Sequence, residues 1–262
     1  MPIIGVKPSS ASVRVNKAHP IGQTLLSCIL HNTHPYMPVD IVTGKVRPFA
    51  TPASVAAGFS ADGPAHIITA DGLDQRIYYQ TGLNTFDSVW KRWIVTPSVV
   101  SSAPGDMLYR SGASGTAGAY IWLNNSKFAS ESTNSAATLS AGTRYDFLLV
   151  YKRLPNTCDL YINGELDTAG FAHASDANAF TIYGDGFSQN IRGTLDCFMM
   201  GLGILDAGTA RRMYQHPYEC FESGDNYDSN VPTSPPPPPP STYIGARYQM
   251  IGAQQFSGGR AA

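Results

Sequence analysis

The most constraining feature of this sequence is a series of short apolar runs that recur about every ten residues through its middle part. Gly, Asn and Asp residues separate these runs. Short strands with turn residues between them are typical of antiparallel β-sandwiches and barrels. The runs lie at 25–32, 66–70, 76–81, 89–95, 107–110, 119–125, 127–132, 144–153, 158–164, 165–170, 180–185 and 193–205. The sequence therefore predicts an all-β, antiparallel fold.

The strand at 144–153 gives the clearest pattern. Period-two alternation places Tyr145, Phe147, Leu149 and Tyr151 on one face and Asp146, Leu148 and Val150 on the other. Faces with so few charges need a second sheet to cover them. Residues 158–164 are expected to pair with this strand, and the dipeptide Asn163-Gly164 supplies the positive φ values of a two-residue hairpin.

One short helix is predicted after the last strand. Asp206 is its expected N-cap, and Arg211 and Arg212 lie near its C-terminal end, where cations are favourable. Gly208 weakens the helix, so two turns at most are expected.

Composition excludes several classes of protein. Only 14% of the residues are charged, and 18 Lys and Arg balance 19 Asp and Glu, which argues against nucleic-acid binding. No apolar run approaches the roughly 18 residues of a membrane-spanning helix, and the first ten residues do not resemble a secretory signal. The four cysteines are expected to be buried free thiols made in a reducing compartment.

The chain is expected to have four parts. Residues 1–18 form an N-terminal arm, and residues 19–221 form the sandwich. Residues 222–240 are a polar linker that ends in six prolines at 235–240, a polyproline II rod. Residues 241–262 are a Gly-rich tail.

Catalytic motifs are missing from the sequence. A glycosidase needs two neighbouring carboxylates, but each of the four glutamates stands alone, at Glu131, Glu165, Glu219 and Glu222. There is no G-x-S-x-G nucleophile motif. His31 and His34 match neither the H-E-x-x-H motif nor a pair of cysteines, so a polar turn is favoured over a zinc site. The sequence therefore predicts a protein that is not an enzyme.

Several motifs occur in an order that resembles the laminin G-like, or concanavalin A-like, jelly-roll domain. The resemblance covers about 200 residues, on the order of one large all-β domain. Its N-terminal part is similar to a variant of this domain found in tailed-bacteriophage genomes. The matching segments are Asn16–Gly22, Asp40–Gly44, Arg144–Tyr151, Leu160–Glu165, Ile182–Gly184, Gly193–Asp196 and Leu205–Tyr214. The resemblance implies an antiparallel jelly-roll β-sandwich (concanavalin A-like), and the composition of the two ends adds an extended N-terminal arm and a proline-rod-linked C-terminal tail.

A terminal arm and a tail after a proline rod are typical of subunits anchored in a larger assembly, and together with the phage-type resemblance they indicate a place in a bacteriophage virion. The expected role is a capsid decoration protein on the virion surface, made in the host cytoplasm. The alternative is a tail-associated adhesin that binds a receptor or glycan. The expected partners are other virion subunits, such as the major capsid protein or tail proteins, a host-surface glycan and further copies of the chain. Assembly anchoring is assigned to Ile3, Ile4, Val6, Tyr243, Ile244, Tyr248, Met250, Ile251 and Phe256.

Two further expectations concern ligands. Many members of the family that the sequence resembles hold Ca²⁺ through an aspartate that corresponds to Asp196. Asp40 lies in the first turn of the family pattern and is the second candidate. The alternative is a purely structural role for Asp196. Sugar binding uses exposed aromatic side chains, whereas aromatic residues of sandwich strands are mostly core. The candidates for sugar stacking are Tyr78, Tyr79, Trp90, Trp93 and Trp122.

Overall fold

The protein is built from antiparallel strands in two main sheets. The computed structural model describes residues 7–8, 13–31, 38–50, 55–68, 76–80, 86–100, 106–111, 120–130, 133–152, 157–172, 179–184 and 191–223. The chain divides into two units, residues 1–226 and 227–262, and every described residue belongs to the first. Within these described ranges, no helix has the length and apolar character needed to cross a membrane.

The larger sheet has ten strands among the described residues, and all of its pairs are antiparallel. Eight strands follow one another in the order β14 (Glu165–Ala172), β13 (Thr157–Ile162), β12 (Tyr145–Lys152), β8 (Ser88–Pro97), β16 (Gly193–Leu202), β2 (Leu25–Leu30), β3 (Val39–Asp40) and β4 (Lys45–Val46). A hairpin of β5 (Val55–Ser60) and β6 (Gly63–Ile68) joins the first residues of β16.

The smaller sheet has five described strands. Their order is β11 (Lys127–Ala129), β10 (Tyr120–Asn124), β9 (Asp106–Ser111), β15 (Ala179–Ile182) and β7 (Ile77–Gln80). A separate pair joins β1 (Val13–Val15) to β17 (Phe221–Ser223). The all-β antiparallel sandwich is therefore confirmed.

The larger sheet is covered on both faces, which explains why its strands are so continuously apolar. Phe147 and Leu149 of β12 belong to the core between the two sheets. Leu148 and Val150, the alternate residues, pack in a second core beneath the N-terminal segment and the helix α2 (Ala207–Gln215). The predicted assignment of faces along this strand is confirmed.

Two local predictions, the turn at Asn163-Gly164 and the helix cap at Asp206, are confirmed. Asn163 and Gly164 have φ values of 53° and 80°, so the tight turn between β13 and β14 forms as expected. Helix α2 begins after Asp206, whose side chain accepts a hydrogen bond from the backbone N–H of Thr209. The helix has nine residues, about two and a half turns at 3.6 residues per turn, which is longer than predicted. Gly208 therefore costs less than the packing of Ala210 and Met213 against the sheet provides.

Other elements were missed. The sequence assigned no structure to 13–15, 20–24 and 55–60, yet they form β1, helix α1 (Pro20–Thr24) and β5. Strand β1 lies in the segment interpreted as an arm and pairs with β17. The division of the chain at residues 18, 221 and 240 stays a prediction.

The four cysteines are buried, as predicted, and their thiols are free. Burial raises the pKa of the Cys28 thiol well above its usual value, and it raises that of Cys220 to about 12. Such thiols stay protonated and chemically inert at neutral pH.

Candidate functional site

The candidate site lies on the face of the smaller sheet that points away from the larger sheet. Tyr109, Ile121 and Ile182 are buried in the core between the sheets. Consecutive residues of a strand point to opposite faces, and directly paired residues share a face. The pairing registers therefore place seven described side chains on the outer face, which we call the Trp122 face: Met107, Arg110, Trp122, Asn124, Lys127, Ala129 and Thr181.

The centre of this face combines an aromatic ring with an unsatisfied polar atom. Trp122 is partly exposed and lies between Met107 and Ala129, which are both buried. Two residues along the strand, the buried Oδ1 atom of Asn124 has no hydrogen-bond partner in the described part of the chain. Buried acceptors are rarely left unpaired, because the loss of hydration costs about 1–3 kcal/mol. Because the Asn124 residue is partly exposed, rotation of its amide group would present this oxygen to a ligand hydroxyl group.

A row of paired residues extends the Trp122 face across the sheet. Arg110 is paired with Thr181 on one side and Tyr120 on the other, and Thr181 is paired with Tyr78. Arg110 and Thr181 are buried, and the Thr181 hydroxyl donates to the carbonyl of Gly184 at 2.8 Å. The more accessible part of the face is therefore the part around Trp122.

The five residues that the sequence suggested for sugar stacking differ in how far their side chains are buried or described. Trp90 and Trp93 are fully buried on the two covered faces of β8, so both belong to the core. Tyr78 and Tyr79 pair through their backbone with Thr181 and Phe180, and their side chains are not among those that the structure describes. Only Trp122 of the five has a described side chain that is partly exposed. Asn124 was missed, because the sequence around it indicated only a strand end and a polar turn.

A buried ionic network holds the β5–β6 hairpin on the larger sheet. The Lys7 ammonium lies 3.5 Å from Asp196 Oδ1 and donates to the carbonyls of His31, at 3.2 Å, and Pro64. Ser60, at the hairpin turn, donates to the same Asp196 oxygen. Burial lowers the pKa of Lys7 and raises that of Asp196, and each effect exceeds the opposing attraction between the two groups.

A second ion pair fixes the tip of the same hairpin. The Arg144 Nε atom donates to Asp62 Oδ2 at 3.0 Å, and the Tyr218 hydroxyl donates to that oxygen at 2.8 Å. Burial, together with the nearby carboxylates and thiol, raises the pKa of Tyr218 well above its usual value. Tyr218 therefore remains a neutral donor. These contacts tie the hairpin tip to Arg144, just before β12, and to Tyr218, just after α2.

The two aspartates considered for calcium already bind groups of the protein, although the buried Oδ2 atom of Asp196 has no partner among the described residues. Lys7 places its ammonium among Asp196 Oδ1 and two carbonyl oxygens, the kind of donor set that Ca²⁺ would need. Asp40 accepts the Ser27 hydroxyl at 3.0 Å and the backbone N–H groups of Cys28 and Val42 at 3.1 Å. In the described ranges, no three His, Cys, Asp or Glu side chains gather as metal ligands. The arrangement around Asp196 therefore fits an ammonium, and calcium binding stays a prediction.

The described glutamates lie in separate surface ion pairs. Glu165 binds Arg211 at 2.9 Å, Glu219 binds Arg212 at 2.8 Å, and Glu222 binds Arg14 at 2.7 Å. Each of these glutamates is paired with an arginine and not with a second carboxyl group, as a glycosidase would require. Such surface ion pairs are ordinary structural contacts.

A buried histidine cluster lies between the sheets and the hairpin. The Nδ1 atoms of His31 and His66 lie 2.8 Å apart, so one ring must donate and the other must accept. His31 Nε2 lies 2.9 Å from the Tyr183 hydroxyl, and Phe49 packs beside both imidazoles. Burial, followed by the neighbouring His66 and Lys7, lowers the pKa of His31 well below 6.5. His31 is therefore neutral in the folded protein.

This cluster predicts a loss of stability in weak acid. Below about pH 6.5 the unfolded chain protonates His31 while the folded chain does not, so the free energy of unfolding falls as the pH falls. The slope from this one residue reaches at most about 1.4 kcal/mol per pH unit. Asp196, whose pKa burial raises, acts in the opposite direction, because the folded chain takes up this proton at a higher pH than the unfolded chain does. Denaturation curves at pH 7 and 5.5, with NMR titration of the imidazoles, measure the effect; a His31 pKa at or above 6.5 contradicts it.

The anchoring residues predicted from the sequence lie outside the described residues. Ile3, Ile4 and Val6 precede Lys7, and the six tail positions Tyr243, Ile244, Tyr248, Met250, Ile251 and Phe256 follow residue 223. Their anchoring role stays a prediction.

Comparison with known proteins identifies the fold but assigns the chain to no family. No family model matches the sequence, and no curated protein matches it. Among solved structures, the fold is similar to domain 4 of AbnA, an extracellular arabinanase of Geobacillus stearothermophilus solved in complex with arabinotriose. The two share 14% identity over 73% of this chain and 98% of that domain, with a TM-score of 0.57.

Two further likenesses involve longer proteins. The binding domain of Paraclostridial Mosquitocidal Protein 1 shares 14% identity over 73% of this chain and 52% of its own length, with a TM-score of 0.56. Trypanosoma rangeli sialidase in complex with the inhibitor DANA shares 13% identity over 79% of this chain, with a TM-score of 0.56. The match covers only 36% of the sialidase chain. At these identities the likenesses show a shared lectin-like β-sandwich fold.

Proposed function

We propose that this protein is a carbohydrate-binding module that takes a glycan on the Trp122 face. The observation that carries the proposal is the unsatisfied, buried Oδ1 atom of Asn124 next to the partly exposed ring of Trp122. The face of an aromatic ring carries partial negative charge and favours the C–H groups of a sugar ring. Asn124 would then accept a hydroxyl of the same sugar. The arabinotriose complex of the AbnA domain supports the idea that such a sandwich can serve this purpose.

The proposal concerns binding without catalysis. The described glutamates are tied in surface ion pairs, and Asp62 and Asp196 are each bound to a cation. The sialidase likeness covers about a third of that enzyme. Placement in a bacteriophage virion, whether as a capsid decoration protein or as a tail adhesin, stays a prediction. Of the two, a tail adhesin is the role that a glycan-binding face serves directly.

Binding to a glycan array, followed by titration of the best oligosaccharide, tests the proposal. Trp122→Ala is expected to weaken affinity at least tenfold, since a central aromatic contact is worth about 2 kcal/mol or more. Tyr214→Ala is the matched control, because Tyr214 is a partly exposed aromatic on α2 and lies away from this face. The control is expected to bind like the wild type.

Asn124→Leu separates a binding role from a structural one. The substitution removes a buried unsatisfied acceptor, so the free energy of unfolding is expected to stay the same or rise. Glycan affinity is expected to fall, because the ligand hydroxyl loses its acceptor. No selective binding by the wild type, or unchanged affinity in both face variants, would overturn the proposal.

A further inference from the structure

The β5 strand is an open edge without the usual protection against pairing. It pairs with β6 from Val55 to Ser60, and no other described strand pairs with its opposite side. Natural edge strands are normally protected by charges, prolines, bulges or covering segments. The sequence of β5, VAAGFS, has no charged residue and no proline, and its pairing with β6 has no register shift.

The exposed residues of this strand are apolar. Ala56 and Ala57 are exposed, and Phe59 is 80% exposed, more than any other large apolar side chain in the described residues. The hairpin that carries them is held by partly buried hydrogen bonds at Ser60 and Asp62. The strand therefore offers a fixed row of backbone donors and acceptors beside uncovered apolar side chains.

From these observations we infer that β5 pairs with β5 of a second copy of this chain, so that the two larger sheets form one continuous sheet. Antiparallel pairing of a strand with itself has two-fold symmetry and needs only one kind of surface. In the register that sets Gly58 opposite Gly58, Phe59 of each copy lies opposite Ala57 of the other on the same face. Each exposed phenylalanine is then covered by the partner strand, and each small alanine leaves room for it.

Charge explains why a second copy suits this edge. No like charges meet across the two-fold axis, because β5 has none. The other edges whose side chains are described carry charges: Lys45 in β4, Lys127 in β11, and Glu165 and Asp167 in β14. Self-pairing at those edges would bring like charges together or require them to be buried. The inference is independent of the Trp122 face, which lies on the other sheet.

Sedimentation equilibrium of the full chain between about 1 and 100 µM, which covers micromolar dissociation constants, tests the inference. The wild type is expected to reach twice the 28.1 kDa of one chain. Ala57→Lys and Phe59→Lys place charges at the symmetric contact, and both variants are expected to remain at the mass of one chain. Val46→Lys, at an exposed position of the β4 edge, is the matched control and is expected to dimerise like the wild type.

Circular dichroism and thermal melting verify that the variants are folded, as expected for substitutions at exposed positions. A second measurement fixes the register: in Ala57→Cys/Phe59→Cys, mild oxidation is expected to give a covalent dimer on non-reducing gels. The inference is overturned if the wild type is monomeric at every concentration, since the β5 edge would then be open to some other partner. A dimer that persists in both lysine variants also overturns it.

Discussion

Replacing Arg92 with methionine is expected to lower the free energy of unfolding by about 3–5 kcal/mol, because it leaves a buried carboxylate without its partner. Arg92 Nε donates to Asp146 Oδ1 at 2.8 Å, and Nη2 binds the other carboxylate oxygen. Both side chains are almost fully buried. Burial alone would lower the pKa of Arg92, but the charge and hydrogen bonds of Asp146 raise it.

The guanidinium also fastens α2 to the larger sheet. It donates to the carbonyl of Met213 at 2.6 Å and to that of Pro217 at 3.2 Å, at the end of the helix and just beyond it. Loss of Arg92 is therefore expected to loosen the helix and to leave the Asp146 carboxylate without its ion-pair partner. Urea denaturation measures the change in stability, and amide hydrogen exchange in α2 reports the loosening.

Arg211→Met is the matched control for this experiment. Arg211 binds both oxygens of Glu165 at 3.0 and 2.9 Å, so the geometry is similar, but both side chains are exposed to water. Exposed pairs of this kind contribute little to stability. Equal destabilisation by the two substitutions would contradict the role assigned to burial.

Replacing Lys7 with methionine is the second change with a large expected effect, again about 3–5 kcal/mol. Lys7 and Asp196 are both fully buried, and the ammonium joins the strand β16 to the carbonyls of His31 and Pro64. Without the ammonium, Asp196 must be protonated, or remain charged in an apolar site. The chemical shift of the Asp196 carboxyl is expected to show a further rise in its pKa.

A double variant separates the charge effect from general disruption. Lys7→Met/Asp196→Asn removes both charges and is expected to regain part of the lost stability. Lys45→Met changes an exposed lysine on β4 and is expected to leave stability almost unchanged. A Lys7→Met protein as stable as the wild type would show that the network does not hold the hairpin.

Local signals made most of the fold predictable. The alternation in residues 144–153, the Asn163-Gly164 turn and the Asp206 cap each depend on neighbours in the sequence, and all three are confirmed. Strand β5 was missed because Ala and Gly have low β-propensity. It forms through its backbone pairing with β6, which a local pattern does not reveal.

The candidate site was less predictable for a different reason. Trp90 and Trp93 point to opposite faces of β8, and the sequence does not show that both faces are covered. Lys7 meets Asp196 across 189 positions in the chain, so their contact has no sequence signature. The unsatisfied oxygen of Asn124 becomes visible only when every neighbouring donor is placed.

An NMR titration of the isotope-labelled full chain with the oligosaccharide selected by the array tests the glycan proposal most directly. We expect saturable shifts, largest at the Trp122 indole N–H, the Asn124 side-chain amide and the backbone of β9 and β10. Shifts centred on α2 or on the β5 edge, or no saturable shifts at all, would contradict the assignment of the Trp122 face.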